Sequence, residues 1–360
     1  MKVLLLGEFS ALHRDLCDGL LALGHDARVA STGDGWKAIP TDIMLGSNAP
    51  GLKGRLARLW SPLASLPKLI NHDVIQFINP VLFSTQFGYN EKLIRMLFAQ
   101  NNKSFLVAAG CDAFYWNEGR QRLPYGPFAD FEQQDLGGAS SPWRSPVRRK
   151  FNQWLAENVD GIIPIMYDYW VGYQGFPNLC SPLPIPVNLE KIKYQENTLK
   201  QGKLVVFHGL NREGFKGTGY VRKAFDILSN KYSGEVECVI QGRMPLKDYM
   251  KLLSTVNVVV DQTSSHGSGV NGLFSLALGK VVLGGNEPAH QALMYGDDPC
   301  PIRNISQDPM SIVAQVEQIM AQRDQLAAMG QAGREFIMRH HDHRRVAARY
   351  VDTWQMESKK

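Results

Sequence analysis

The chain has 360 residues, of which 44% are hydrophobic and 20% charged, and its formal net charge is +5. This length allows two domains with a core each, and the ordinary composition excludes a disordered, fibrous or collagen-like chain. The small basic excess does not indicate a nucleic-acid partner. The five cysteines form no Cys-x-x-Cys pair, and their odd number argues against a disulfide framework. The first apolar run is too short for a signal peptide, and no stretch approaches the roughly 20 apolar residues of a membrane span, so we expect a cytoplasmic protein.

Apolar runs alternate with helical patterns along the first half of the chain. The run 3–6 is followed by leucines at helical spacing, and Gly24 ends that helix before a second strand at 25–30. Further strands are predicted at 73–78, 104–109 and 161–165, and helices at 86–101 and 146–158. Regular alternation of strand and helix predicts a parallel sheet built from βα units.

A proline-rich stretch separates the two halves. Residues 176–188 hold four prolines, which fix φ and remove backbone donors, so we predict a domain linker there. The alternation then resumes, with strands predicted at 203–208, 236–241, 256–262 and 280–284, and helices at 219–230, 245–254, 269–278, 310–321 and 323–340. We therefore expect two Rossmann-like domains, 1–185 and 186–340, and a closing helix within 341–360 that packs back on the first domain.

The loop 208–219, which follows a predicted strand and holds four glycines, is the first candidate site. Glycines let the backbone approach an anion closely. Arg212 and Lys216 add positive charge just before Gly217 and Thr218, where the next helix is expected to begin. The spacing does not match a P-loop, so we predict an anion site of another kind. A solvated loop with incidental charges is the alternative.

The loop 262–272 is the second candidate site, because it combines small polar residues with glycines after another strand. Ser268, Gly269, Val270 and Asn271 lead into an apolar helix whose first N–H groups would point at one place. Such an arrangement suits a diphosphate. The alternative is an ordinary turn in which His266 is an exposed side chain.

These loops resemble the sugar-donor half of glycosyltransferase family 4 (group 1), retaining sugar transferases of the GT-B fold. The similarity covers roughly residues 203–355: HGLNREGFKGTGYVRKAFDIL is similar to the family's Lys-Gly signature, and VDQTSSHGSGVNGLFSLALGKVVLG to its donor loop and helix. The resemblance implies an α/β protein with two Rossmann-like domains facing a cleft. It further implies hexosyl transfer from a nucleotide sugar, without a cofactor or essential metal, in which Arg212 and Lys216 neutralise the leaving diphosphate.

The sequence departs from this family at one pair of positions. The family carries two glutamates, the second of which holds the donor ribose, and alignment on residues 277–280 places His266 and Phe274 there. Asn271 and Glu287 are the candidates to compensate for the missing ribose contact. The alternatives are a GT-B protein without turnover that serves as a sugar-nucleotide-binding or scaffold module, and a sugar-nucleotide epimerase on a similar shell.

In the first half, His13 and Asp112 are the predicted catalytic or acceptor-side residues. His13 lies near the start of the first helix, where the resemblance would place it at the cleft. Asp112 follows the strand at 104–109 and precedes several aromatic residues, which suit sugar recognition because aromatic faces stack on sugar C–H groups. The alternatives are a surface histidine and an aromatic loop that caps the sheet.

Two basic stretches, 51–70 and 143–154, contain no acidic residue. Basic faces with interspersed leucine and tryptophan attract anionic lipid headgroups, although a solvated helix face with ordinary core contacts is the alternative. The expected partners are therefore a nucleotide sugar, a saccharide or lipid-linked acceptor, and peripherally the inner face of a membrane. Cell-surface polysaccharide or glycoconjugate synthesis is the expected process.

Overall fold

The computed structural model describes residues 1–47, 51–134, 138, 141–199, 201–210 and 213–356. They form two compact units, each with one parallel sheet. The first unit comprises Met1–Arg122, Ser141–Pro186 and His343–Lys360, and the second comprises Leu123–Ser140 and Val187–Asp342. The predicted α/β class with two Rossmann-like sheets is confirmed.

Eleven strands and fifteen helices are found in the described ranges, together with a few short turns of other helical types. The strands are β1 (Lys2–Leu6), β2 (Asp26–Ser31), β3 (Ile43–Met44), β4 (Val74–Phe77), β5 (Lys103–Ala108), β6 (Gly161–Pro164), β7 (Leu204–Gly209), β8 (Val236–Gln241), β9 (Val258–Val260), β10 (Val281–Gly284) and β11 (Arg303–Asn304). The helices are α1 (Leu12–Ala22), α2 (Gly51–Ala64), α3 (Tyr89–Ala99), α4 (Arg120–Arg122), α5 (Phe128–Gln134), α6 (Ser141–Arg144), α7 (Pro146–Asn158), α8 (Tyr167–Gly172), α9 (Thr218–Lys231), α10 (Leu246–Ser254), α11 (Val270–Leu278), α12 (Pro288–Tyr295), α13 (Pro309–Ala321), α14 (Leu326–His340) and α15 (His343–Gln355). The 3₁₀ turns are Gly35–Lys37, Leu66–Lys68, Gln86–Gly88 and Arg323–Gln325, and a π turn spans Tyr115–Gly119.

The sheet of the first unit has the order β3-β2-β1-β4-β5-β6, with all neighbouring strands parallel. Its central strands β1 and β4 are apolar except at Lys2 and Gln76, because they are buried on both faces. Winding proceeds from β1 to β3 on one side and from β4 to β6 on the other. The reversal between β1 and β4 leaves the loops that follow these two strands side by side, which is where open α/β sheets bind ligands.

The sheet of the second unit has the order β11-β10-β9-β7-β8 and is also parallel throughout. Its winding reverses between β7 and β9, so the loops after these strands are neighbours. The edge strand β8 is mostly half-buried or exposed, with only Val236 buried, whereas β7 and β9 are buried along their whole length. The core between this sheet and its helices consists mainly of valine, leucine and isoleucine.

The proline-rich stretch is ordered along the edge of the first sheet. The backbone N–H of Cys180 donates to the carbonyl oxygen of Ile162 (2.9 Å), and that of Leu183 to Pro164 (2.9 Å). The compact units change over after Pro186, but they differ from the predicted domains because residues 123–140 group with the second unit. The predicted domain bounds therefore stay a prediction.

The last helix, α15, packs against α1 within the first unit. The two backbones touch at Gly19, where a Cβ atom would lie 2.2 Å from the carbonyl oxygen of His343. At the far end of α15, the indole N–H of Trp354 donates to Gln76 Oε1 (3.2 Å). Because an indole only donates, Gln76 turns its amide nitrogen to His13 Nε2 (3.1 Å), and His13 Nδ1 donates to the Gly7 carbonyl oxygen (2.8 Å).

We call this buried chain of hydrogen bonds from Trp354 to Gly7 the Trp354 relay, and replacement of Trp354 by phenylalanine tests it. Trp354→Phe keeps an aromatic ring but leaves Gln76 Oε1 without its donor, so we expect the free energy of unfolding to fall by about 1–3 kcal/mol. Urea unfolding measures the change. Trp36→Phe is the matched control, because Trp36 is 45% exposed. Equal stability of the two variants would contradict the relay.

Candidate functional site

Two loops meet at the winding reversal of the second unit. Loop A (residues 213–217) precedes α9, and loop B (residues 261–269) follows β9. The backbone N–H of Thr263 donates to the carbonyl oxygen of Lys216 (3.1 Å). A Cβ atom on Gly217 would lie 1.9 Å from Thr263 Oγ1, so only glycine fits at this crossing, where φ is +71°. The two loops therefore form one continuous surface in front of helices α9 and α11.

A buried aspartate connects the parts of this surface. Asp261 has no exposed area and accepts hydrogen bonds from Lys216 Nζ (2.8 Å), Asn271 Nδ2 (2.9 Å) and the Gly269 backbone N–H (3.0 Å). Burial alone would raise the pKa of Asp261, but the Lys216 ammonium and the hydrogen bonds outweigh it and hold the pKa below its ordinary value. Asp261 is therefore a carboxylate that orients both Lys216 and the start of α11.

The first turn of α9 is fixed by a second buried group. His208 is fully buried at the end of β7, donating Nδ1–H to the Val260 carbonyl oxygen (2.8 Å) while Nε2 contacts Thr218 Oγ1 (3.0 Å). Burial, together with the charge of Lys216, lowers the pKa of His208 to about 4. The imidazole is thus neutral at pH 7, so its Nε2 accepts from the Thr218 hydroxyl and positions the helix start.

A segment from the first half of the chain covers the two loops. The ring of Tyr125 stacks on His266, with centroids 4.3 Å apart and planes 20° apart. The Tyr125 hydroxyl donates to Glu287 Oε1 (2.8 Å), while Gln307 Nε2 donates to the Ser264 hydroxyl (3.0 Å). Gln307 Nε2 also lies 3.3 Å from the Gly126 carbonyl oxygen. Neither Tyr125 nor Gln307 was expected from the sequence, because no local pattern links them to these loops.

Most residues predicted for the diphosphate site lie within this network. Lys216, Gly217 and Thr218 form the start of α9, and Gly269, Val270 and Asn271 form the start of α11. The Ser268 hydroxyl lies beside them but donates to the Gly285 carbonyl oxygen (3.2 Å). Arg212 lies outside the described residues. Binding of a diphosphate by these residues stays a prediction.

The positions aligned with the family's glutamates are buried. His266 is 4% exposed and lies beneath Tyr125, and Phe274 is 6% exposed on α11. Asn271 and Glu287, the two residues predicted to compensate for the missing glutamates, belong to different hydrogen-bond networks. Asn271 belongs to the Asp261 network, whereas Glu287 accepts from Tyr125 and from Asn304 Nδ2 (3.1 Å).

In the first unit, the two predicted catalytic residues are buried and hydrogen-bonded within the protein. His13 takes part in the Trp354 relay, and burial lowers its pKa to about 4. Asp112 accepts from the Tyr115 backbone N–H (2.8 Å) and from the Tyr173 hydroxyl (2.7 Å), and burial raises its pKa to about 6. These contacts give both residues structural partners, so a catalytic role for either stays a prediction.

One acidic residue at the winding reversal of the first unit was missed. Glu8 directly follows Gly7 after β1, is 5% exposed, and accepts a hydrogen bond at Oε2 from the Arg14 backbone N–H (2.8 Å). Its other oxygen, Oε1, is buried and has no hydrogen-bond partner among the described residues. Burial, with smaller contributions from Asp34 and Asp15, raises the pKa of Glu8 to about 8.

No helix in the described ranges is both long enough and apolar enough to span a bilayer. No three or more His, Cys, Asp or Glu side chains there converge in a way that could hold a metal ion.

The sheet orders and the two winding reversals define a protein of the GT-B fold. Solved structures agree: sucrose-phosphate synthase from Thermosynechococcus elongatus is 14% identical with a TM-score of 0.63, covering 99% of this chain and 98% of that one. HepE from Anabaena, in complex with UDP and glucose, is 11% identical with a TM-score of 0.61, covering 98% and 99%. UDP-GlcNAc 2-epimerase from Neisseria meningitidis, bound to UDP-GlcNAc, is 13% identical with a TM-score of 0.51, covering 98% and 99%. No family model and no curated protein matches the chain.

Alanine substitution of two nearby glycines tests the contact between loops A and B. Gly217→Ala places a methyl group against Thr263 at positive φ, so we expect a loss of about 2–4 kcal/mol in the free energy of unfolding. Gly219→Ala, in the first turn of α9 where a Cβ atom meets nothing within 4 Å, should cause no loss and should add up to about 1 kcal/mol through helix propensity. Thermal and urea unfolding compare the two variants, and an unperturbed Gly217→Ala would refute the packing of the loops.

The raised pKa of Glu8 predicts a pH dependence of stability. The folded protein keeps this proton up to about pH 8, whereas the unfolded chain releases it near the ordinary pKa of 4.5. The stabilising effect of the proton is complete below pH 4.5 and is lost as the pH rises through 8. Relative to the parent, Glu8→Gln should gain stability, on the order of 4 kcal/mol, between pH 5 and pH 9. Urea unfolding at both pH values checks this, and a pH-independent difference between variant and parent would contradict it.

Proposed function

We propose that this protein is a glycosyltransferase that moves a hexosyl group from a nucleotide sugar to a saccharide or lipid-linked acceptor. The anomeric configuration is retained, and the reaction takes place in the cytoplasm during the synthesis of cell-surface polysaccharide or glycoconjugate. The second unit binds the nucleotide sugar at loops A and B. UDP is the first nucleotide to examine, because HepE and the 2-epimerase are described with UDP or a UDP-sugar.

The observation that carries this proposal is the convergence of Lys216 with two helix starts at the winding reversal. The N-termini of α9 and α11 both face the junction of loops A and B, where the first backbone N–H groups of a helix favour an anion. The Thr263 hydroxyl at the same junction is buried and has no hydrogen-bond partner among the described residues. Because protein atoms bury Thr263 completely, a phosphate oxygen would reach this hydroxyl only after a shift of loop A or loop B.

Lys216 serves the reaction by stabilising the charge of the leaving diphosphate. An ammonium group has three N–H donors, and one of them is held by Asp261, so two remain for phosphate oxygens. Negative charge grows on the leaving group as the glycosidic bond breaks, and a preorganised cation at that place lowers the barrier. Asp261 keeps Lys216 in position before the nucleotide sugar arrives.

A sugar-nucleotide-binding module without turnover is the second candidate. It is favoured by His266 and Phe274 at the aligned glutamate positions and by the stacking of Tyr125 on His266. Incubation with UDP-hexoses separates the candidates. Release of UDP with a glycosylated acceptor supports the transferase, and NMR of the product linkage tests retention. Tight binding without hydrolysis or transfer supports the binding module, and a C2-inverted sugar nucleotide would instead show an epimerase.

Removal of the Lys216 charge tests the diphosphate site. Lys216→Met alone would leave Asp261 buried without its counter-ion, so the double variant Lys216→Met/Asp261→Asn is the informative protein. We expect this variant to bind UDP more weakly by about 1–3 kcal/mol, the contribution of a hydrogen bond to a charged group. Isothermal titration calorimetry measures the affinity.

Lys223→Met is the matched control, because Lys223 is an exposed residue of α9. It should bind UDP as the parent does. Parental UDP affinity in the double variant, with the fold intact by circular dichroism, would refute the assignment of Lys216 to the diphosphate.

A further inference from the structure

Helix α2 of the first unit turns its apolar side away from the core. Four large side chains recur at helical spacing and fall within one third of the helix circumference. They are Leu52, Leu56, Trp60 and Leu63, with 71%, 45%, 64% and 39% of their areas exposed. The opposite side of the helix is the packed one, since Gly54 and Pro62 are its buried residues. We call the four exposed residues the α2 face.

The α2 face continues onto the loop before α3. Phe87 is 96% exposed, and its φ of +53° is a conformation that bulky residues rarely adopt. Two residues later, the Tyr89 hydroxyl donates to the carbonyl oxygen of Leu59 on α2, which holds this loop beside the helix. Phe87 therefore adds a fifth large apolar side chain to the same exposed region.

The beginning of α7 adjoins the same loop. Arg148 donates to the Thr85 hydroxyl (3.3 Å), and its neighbour Val147 is 72% exposed. Helix α2, the loop before α3 and the start of α7 thus present one exposed apolar region of the first unit. Monomeric soluble proteins rarely expose a contiguous apolar region of this kind without a partner.

The charged residues of the three stretches that form this region are all basic, although Arg149 of α7 is paired with Glu118 from outside them. Lys53, Arg55 and Lys68 are exposed around the α2 face, and Lys150 is exposed on α7. Residues 51–70, 84–90 and 143–154 contain no aspartate or glutamate. A region with apolar side chains at its centre and cations around them complements a surface of phosphate groups with hydrocarbon beneath it.

We propose that the α2 face docks the protein on an anionic phospholipid surface. Leucine, tryptophan and phenylalanine enter the boundary between headgroups and acyl chains, and the lysines and arginines contact the lipid phosphates. Phe87 and Trp60 are the deepest anchors, because they are the most exposed aromatic side chains here. This contact is independent of the proposed sugar transfer, since it uses none of the residues of loops A and B.

Co-sedimentation of the full chain with vesicles tests the proposal. We expect binding to vesicles of phosphatidylglycerol mixed with phosphatidylcholine at about 0.1 M salt, and little binding to phosphatidylcholine alone. The variant Leu56→Ser/Trp60→Ser should bind at least about tenfold more weakly, because it removes apolar anchors. Salt near 1 M should also release the parent, because it screens the exposed cations.

The matched control is Leu21→Ser/Trp36→Ser, which removes an exposed leucine (49%) and an exposed tryptophan (45%) outside the α2 face. It should bind as the parent does. Absence of parent binding at low salt, or equal weakening by control and test variants, would overturn the proposal. So would a parent dimer, seen by light scattering, that Leu56→Ser/Trp60→Ser converts to a monomer without any vesicle binding, because the α2 face would then join two copies.

Discussion

The ion pair between Lys216 and Asp261 is the interaction on which the rest of the candidate site depends. A carboxylate without exposed area is strongly unfavourable unless it is compensated, and Asp261 is compensated by a charge and two further hydrogen bonds. One of these bonds fixes the end of loop A, and the other two fix the start of α11 through the Gly269 backbone and the Asn271 side chain. The site is therefore ordered before any anion is present, which lowers the cost of binding one.

The location of the site follows from topology, and topology could be read from the sequence. Parallel strands buried on both faces are continuous apolar runs, so β7 and β9 were predictable, and glycine-rich loops after such strands indicate a ligand-binding edge. The short edge strands β3 and β11 were missed because two residues carry no periodicity. What a loop residue contacts is a separate matter. His13 and Asp112 follow strands as expected, yet their partners Gln76 and Tyr173 are distant in the chain and turn both residues inward.

The features that the sequence did not predict all depend on contacts between distant residues. Tyr125 and Glu287 are 162 positions apart, and no local pattern indicates that a segment of the first half belongs to the second unit. Helix α2 shows a related limit. The sequence predicted a basic helix face with interspersed leucine and tryptophan there, but a sequence pattern defines only which residues share a face and not whether other elements cover it. Which side of a helix is buried depends on its tertiary contacts, and in α2 the buried side is the one that carries Gly54 and Pro62.

The net charge of +5 therefore has less meaning than the surroundings of each cation. Lys216 is largely buried and already paired with the Asp261 carboxylate, so salt screens its charge little. Lys53 and Arg55 are exposed to solvent and have no acidic neighbours in sequence. Their attraction to an anionic surface is therefore strong at low salt and weak at high salt. A phosphate bound at loops A and B and a phosphate surface bound at α2 would thus respond differently to ionic strength, because the first relies on short, preorganised hydrogen bonds and the second on long-range attraction combined with apolar insertion.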